Sequence, residues 1–88
     1  MKIKNDFMLR EVANNYIVVP VGKASKEFNG MITLNESSAF LWKQLNEDIN
    51  IEVLVQKLME EYDIDNTLAT HDVNQFIKKL REINVLDE

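Results

Sequence analysis

The chain has 88 residues, of which 10 are Lys or Arg and 15 are Asp or Glu, with one His, no Cys and 45% apolar residues. This length suits one small domain over residues 1–88, and folding buries only roughly 60 to 65% of the surface of the open chain, so no deep catalytic cleft is expected. The lack of Cys excludes disulfides, thiolate metal sites and iron–sulfur clusters.

Charge is unevenly distributed along the chain. Residues 1–34 carry five basic and three acidic groups, whereas residues 35–88 carry five basic and twelve acidic groups, a net charge of −7. The second half is therefore expected to repel phosphate. Charged residues also interrupt every apolar stretch near the start, MKIKNDFMLREV, so neither export nor membrane insertion is predicted and a cytoplasmic location is expected.

The first third of the chain has the pattern of β-strands. Residues 7–12, 16–21 and 28–34 are alternating or β-branched runs separated by polar segments. Asn14 and Asn15 lie between the first two runs and tolerate positive φ, so they suit a two-residue type I′ hairpin turn. These features predict a three-stranded antiparallel meander.

From Asn35 onward the hydrophobic period is helical. Asn35 or Ser37 can cap a first helix, Asn50 can cap a second, and residues 63–66 separate the second from a third. Asn84 lies where a left-handed C-cap would end the third helix. The predicted inner stripes are Leu41, Trp42, Leu45 and Ile49 in the first helix, Leu54, Val55, Leu58, Met59 and Tyr62 in the second, and Ala69, Val73, Phe76, Ile77, Leu80 and Ile83 in the third.

The resulting order, β-β-β-α-α-α, predicts an α+β domain with helices packed on a small antiparallel sheet. Val85 and Leu86 are expected to fold back as its hydrophobic end. An open three-stranded sheet has two edges with unpaired backbone N–H and C=O groups. Only a further element of the chain or a partner can pair with them.

Few residues suggest chemistry. His71 could act as a general base beside Asp72, but it lies off the inner stripe and is expected to be an ordinary solvated histidine. Asp63 and Asp65 resemble the start of a calcium loop, yet the required Gly and Glu do not follow, so helix capping explains them better. We therefore expect no catalytic residue, no metal and no cofactor.

Five segments give the chain a specific resemblance. They are LREV (9–12), VVP (18–20), FNGMITLNESSAFLW (28–42), LMEEYDID (58–65) and DVNQFIKKLREINVL (72–86). Together with the order of elements they resemble the PqqD-like family, which includes pyrroloquinoline quinone biosynthesis protein D, over residues 7–86. Family members commonly have Gly at the positions of Ser38 and Asn84, so the match is to a divergent branch, and no residue marks a pyrroloquinoline quinone pathway rather than that of another modified peptide.

The resemblance implies a winged-helix-like domain that holds the leader segment of a ribosomally made precursor peptide and presents it to a modifying enzyme, often a radical SAM protein. It implies no catalysis. In such domains the leader adds as a strand beside the third strand, opposite the third helix. Carried over to this sequence, the strand wall is Gly30, Met31, Ile32, Thr33 and Leu34, and the helix wall is Val73, Phe76, Ile77 and Leu80, with Lys79 or Arg81 at the rim.

Two other functions compete with leader binding. A winged helix can bind DNA, but its recognition helix should be basic, and here Lys78, Lys79 and Arg81 are balanced by acidic neighbours, so no nucleic-acid partner is expected. A structural dimerisation module is the other alternative, because the exposed third-strand edge could pair with its own copy in a homodimer.

Overall fold

The computed structural model describes residues 1–23 and 32–88. Its elements are β1 (Lys2–Ile3), β2 (Phe7–Val12), β3 (Asn15–Pro20), β4 (Ile32–Leu34), α1 (Glu36–Gln44), α2 (Ile51–Tyr62), α3 (Asn66–Glu82) and β5 (Leu86–Asp87). Strands β2, β3 and β4 form an antiparallel sheet in that order. The predicted α+β class, a three-stranded antiparallel sheet followed by three helices, is confirmed.

The hairpin between β2 and β3 turns one residue earlier than predicted. Val12 pairs with Asn15, and the two residues between them, Ala13 and Asn14, have φ of 50° and 68°. Positive φ at both positions is what a type I′ turn requires, so the turn type is right and its position is wrong. A turn at Asn14 and Asn15 would place Glu11 opposite the buried Val18.

The observed register places Leu9 opposite Val18 instead, so two apolar residues meet on the inner face. This cross-strand contact accounts for the register, because an apolar pair stabilises the sheet where an acidic residue would need desolvation. The third predicted strand, residues 28–34, is observed as β4 over Ile32–Leu34, and residues 28–31 lie outside the described residues.

Each helix begins at a side-chain cap that the sequence predicts. The Oδ1 atoms of Asn35, Asn50 and Asp65 accept the backbone N–H three residues ahead, at 2.8, 2.9 and 2.8 Å. The first helix ends earlier than its predicted stripe, because Leu45 forms its C-cap and Ile49 lies beyond it, half-buried on the core. Asn84 has φ of 60° after α3, so the predicted left-handed end is confirmed.

A second, two-stranded sheet was not predicted. Strand β1 pairs antiparallel with β5, so that Ile3 is opposite Leu86. The predicted return of Val85 and Leu86 onto the core is confirmed, since both side chains are buried. The two ends of the described chain thus meet.

The core lies between the inner face of the three-stranded sheet and the three helices. Trp42 is 1% exposed, so its predicted place in the core is confirmed. The other largest buried side chains are Leu41, Leu45, Leu54, Leu58, Ile77, Leu80, Val18, Val73 and Val85. Within residues 1–23 and 32–88, no helix is long and apolar enough to cross a lipid bilayer.

Candidate functional site

Strand β4 forms one edge of the three-stranded sheet. It pairs with β3 through Ile32, Thr33 and Leu34, and among the described residues no strand pairs with its other side. Leu34 is buried and Ile32 packs partly on the core, whereas Thr33 is exposed on the opposite face. Backbone donors and acceptors along the outer side of β4 are therefore available to an extended peptide. Gly30 and Met31, also assigned to this wall, lie outside the described residues.

The predicted helix wall is only partly at the surface. Val73, Ile77 and Leu80 are 0%, 1% and 1% exposed, so in this structure their side chains pack in the core. Phe76 is 6% exposed and borders a surface groove. Of these four apolar residues of α3, Phe76 is the one that a peptide in the groove can contact directly.

The groove lies between the first turn of α1 and the exposed face of α3 and has a volume of about 620 Å³. Leu41 and Phe76 form its apolar floor. The remaining lining is polar and comes from Asn35, Ser37 and Ser38 beside α1 and from Asp72, Gln75, Lys78, Lys79 and Glu82 of α3. A ligand here would combine a small apolar contact with several polar ones.

The wall contributed by α1 is fixed by the strand-to-helix junction. Asn35 follows β4 directly, and its Oδ1 accepts the backbone N–H of Ser38 at 2.8 Å and the hydroxyl of Ser37 at 3.1 Å. The amide oxygen of Asn35 is thus used for capping, while no hydrogen bond of its NH₂ group occurs in the described part of the chain. Asn35 is one of the residues that line the groove.

The two predicted rim cations have different surroundings. Lys79 lines the groove. Arg81 instead pairs with Glu88, with Nη2 at 2.8 Å from Oε1 and Nε at 3.1 Å from Oε2. This hydrogen-bonded pair lowers the pKa of Glu88 and raises that of Arg81. Arg81 is not among the groove-lining residues described above.

Seven polar residues that line the groove are not predicted from the sequence as part of the site: Asn35, Ser37, Ser38, Asp72, Gln75, Lys78 and Glu82. The sequence does contain a pattern that could have identified those on α3. Residues 72, 75, 76, 79 and 82 follow the three- and four-residue spacing of one helix face. Of this face, the sequence analysis assigns only Phe76 and Lys79 to the site. The other polar residues of the face are missed because the prediction follows the apolar stripe of the helix.

The remaining candidate residues from the sequence are His71, Asp63 and Asp65. His71 is exposed on α3. Asp63 is the left-handed C-cap of α2, with φ of 50°, and Asp65 is the N-cap of α3, which explains the calcium-like spacing as helix capping. In the part of the chain that the structure describes, no group of three or more His, Asp or Glu side chains is arranged to hold a metal ion.

Comparison with known proteins agrees with the resemblance. A family model described as coenzyme PQQ synthesis protein D (PqqD) matches residues 15–86. The chain therefore belongs to the PqqD family. Among curated proteins no match was found.

Two solved structures share the fold. TbiB1 in complex with the TbiA(beta) leader peptide is 18% identical, with 99% of this chain and 95% of that chain covered and a TM-score of 0.77. Lasso peptide synthetase B1 complexed with the leader peptide is 17% identical, with 96% and 93% covered and a TM-score of 0.73. At this identity the likeness concerns the fold.

Proposed function

We propose that this chain is a non-catalytic recognition element that binds the leader segment of a ribosomally made precursor peptide. The observation that carries the proposal is the free edge of β4, which leads directly into Asn35, one of the residues that line the groove along α3. An extended peptide can pair its backbone with that edge while its side chains contact the helix. Membership of the PqqD family and a fold shared with two proteins bound to leader peptides support the same function.

The proposed binding mode is strand addition. The leader would pair with residues 30–34 as a fourth strand of the sheet, on the side away from β3. Main-chain hydrogen bonds would supply much of the affinity, and contacts with Phe76 and Lys79 on α3 would select side chains. The buried Val73, Ile77 and Leu80 would shape this wall from behind, because they hold α3 against the core.

In this proposal a partner enzyme, and not this chain, modifies the precursor peptide. The recognition element presents the precursor to a modifying enzyme, such as a radical SAM protein, and residues 1–88 act as one recognition domain in the cytoplasm, where ribosomal peptides are made. The proposal assigns no chemical step to any residue of this chain.

The test is a titration of the protein with labelled leader peptides from candidate precursors. Alternate residues of a strand direct their N–H groups to opposite sides, so one of Ile32 and Thr33 directs its N–H to the free edge. Proline at that residue removes one donor without breaking the β3 pairing, and should weaken binding about threefold to tenfold. Both Ile32→Pro and Thr33→Pro are made, and thermal melting shows which of the two still folds. That variant is used in the titration.

Glu52→Ala on α2 is the control, because Glu52 is exposed and does not line the groove. It should bind the leader like the parent. If the folded proline variant also binds like the parent, the β4 edge is not the site. Sedimentation without peptide tests the dimerisation alternative: a concentration-dependent dimer that the same proline abolishes would assign the edge to a second copy of the chain.

A further inference from the structure

The groove along α3 contains two lysines, Lys78 and Lys79, that form no ion pair with any of the described residues. Arg81, on the same helix, is paired with Glu88. Both lysines line the groove next to Phe76. A positive charge beside an apolar floor favours a ligand that offers a carboxylate next to an apolar side chain.

Two acidic residues limit how much negative charge the groove accepts. Asp72 lies seven residues before Lys79 on α3, about 10 Å along the axis, and Glu82 lies less than one turn beyond it. Glu82 lies within a Debye length of the lysines, about 8 Å at physiological salt, and Asp72 lies slightly beyond it. A single carboxylate can therefore reach the lysines, but an acidic run would meet Asp72 or Glu82, in a protein whose net charge is −5.

We propose that Lys78 and Lys79 are specificity-determining residues that select leader peptides with one Asp or Glu beside an apolar residue. The apolar side chain contacts Phe76 and Leu41 on the floor, and the carboxylate binds the lysine ammonium groups at the rim. This inference rests on the proposed function, because it names the peptide class for the same groove.

The test uses a displayed library of short random peptides, selected against the parent protein and against Lys78→Glu and Lys79→Glu. Lys57→Glu on α2 is the matched control: it makes the same change of net charge at an exposed lysine outside the groove. With the parent and the control, the selected peptides should carry one acidic residue at a fixed distance from an apolar residue. With the groove variants this acidic residue should be lost or replaced by Lys or Arg.

Titration with a synthetic copy of the most enriched peptide then measures how much each substitution weakens binding. Lys78→Glu or Lys79→Glu should weaken its binding about threefold to tenfold, since an attractive surface pair is replaced by a repulsive one, while Lys57→Glu changes binding less than twofold. Enriched peptides without the acidic residue, or equal loss in the control, would overturn the selectivity but leave peptide recognition standing. Enrichment of no peptide by any of the four proteins would contradict the proposed function itself.

Discussion

The backbone N–H of Ile3 donates a hydrogen bond to the carbonyl oxygen of Leu45 at 2.8 Å. Leu45 is the C-cap of α1, so this bond joins the first strand to the end of the first helix. The next N–H, that of Lys4, donates to the carbonyl of Val85 at 3.0 Å. Residues near the start of the chain therefore connect α1 with the segment that follows α3.

Ile3→Ala should destabilise the protein strongly. The side chain is 5% exposed and belongs to the core, and removal of its three outer carbons should lower the free energy of unfolding by about 2 to 4 kcal/mol. Asn5→Ala, at an exposed neighbouring position, should change it by less than about 0.5 kcal/mol. Urea unfolding measures both, and equal midpoints for the two variants would show that burial of the Ile3 side chain does not contribute to stability.

Ala13→Gly should stabilise the hairpin. Ala13 has φ of 50°, a left-handed conformation that disfavours residues with a Cβ atom. Glycine relieves that strain and loses some chain entropy, so a gain of about 0.5 to 1 kcal/mol is expected. Ala13→Val should be destabilising, because β-branched residues tolerate this region poorly. A lower urea midpoint for the glycine variant than for the parent would contradict the observed turn.

Helix caps could be predicted from the sequence because capping is local. Asn35, Asn50 and Asp65 each act within three residues of their own position, and the hydrophobic spacing that follows each of them is local as well. The β1–β5 pair could not be predicted in the same way. Each strand has two residues, too few to show a period, and their pairing depends on how the helices bring distant residues together.

The elements that form the candidate site could be predicted from the sequence, but the helix face that lines the groove could not. The free edge of β4 follows from the strand order, and α3 follows from its apolar stripe. Which side of that stripe faces the groove depends on how α3 packs against α2, and the structure places Ile77 in the core and Phe76 at the groove. The pairing of Arg81 with Glu88 depends equally on the return of the chain after Asn84.

Asp65→Ala should shorten or fray the start of α3. The carboxylate accepts the N–H of Leu68 at 2.8 Å, and loss of this cap should cost about 1 kcal/mol, whereas Asp65→Asn should retain most of it. Thermal melting should therefore rank the parent as most stable, Asp65→Asn next and Asp65→Ala last. Millimolar calcium should leave the melting temperature of the parent unchanged, and a calcium-induced increase that depends on Asp65 would instead indicate a metal site.

Duplex DNA should bind negligibly at physiological salt. Lys78 and Lys79 lie beside Asp72 and Glu82, Arg81 is paired with Glu88, and residues 35–88 carry a net charge of −7. Phosphate binding requires several clustered cations, which release counter-ions when DNA binds. Fluorescence anisotropy with a labelled duplex measures this. Micromolar binding that weakens steeply with added salt would favour the DNA-binding alternative over leader recognition.

The central claim is that a peptide pairs with β4. The most direct measurement is backbone hydrogen exchange of the protein with and without the library-selected peptide, followed amide by amide. The sheet has two edges, β2 and β4, so exchange can tell which one the peptide uses. Strand addition at the proposed site predicts slower exchange for the outward-facing amide within Ile32–Leu34 and no change along Phe7–Val12. Slower exchange along β2 with β4 unchanged would contradict the account.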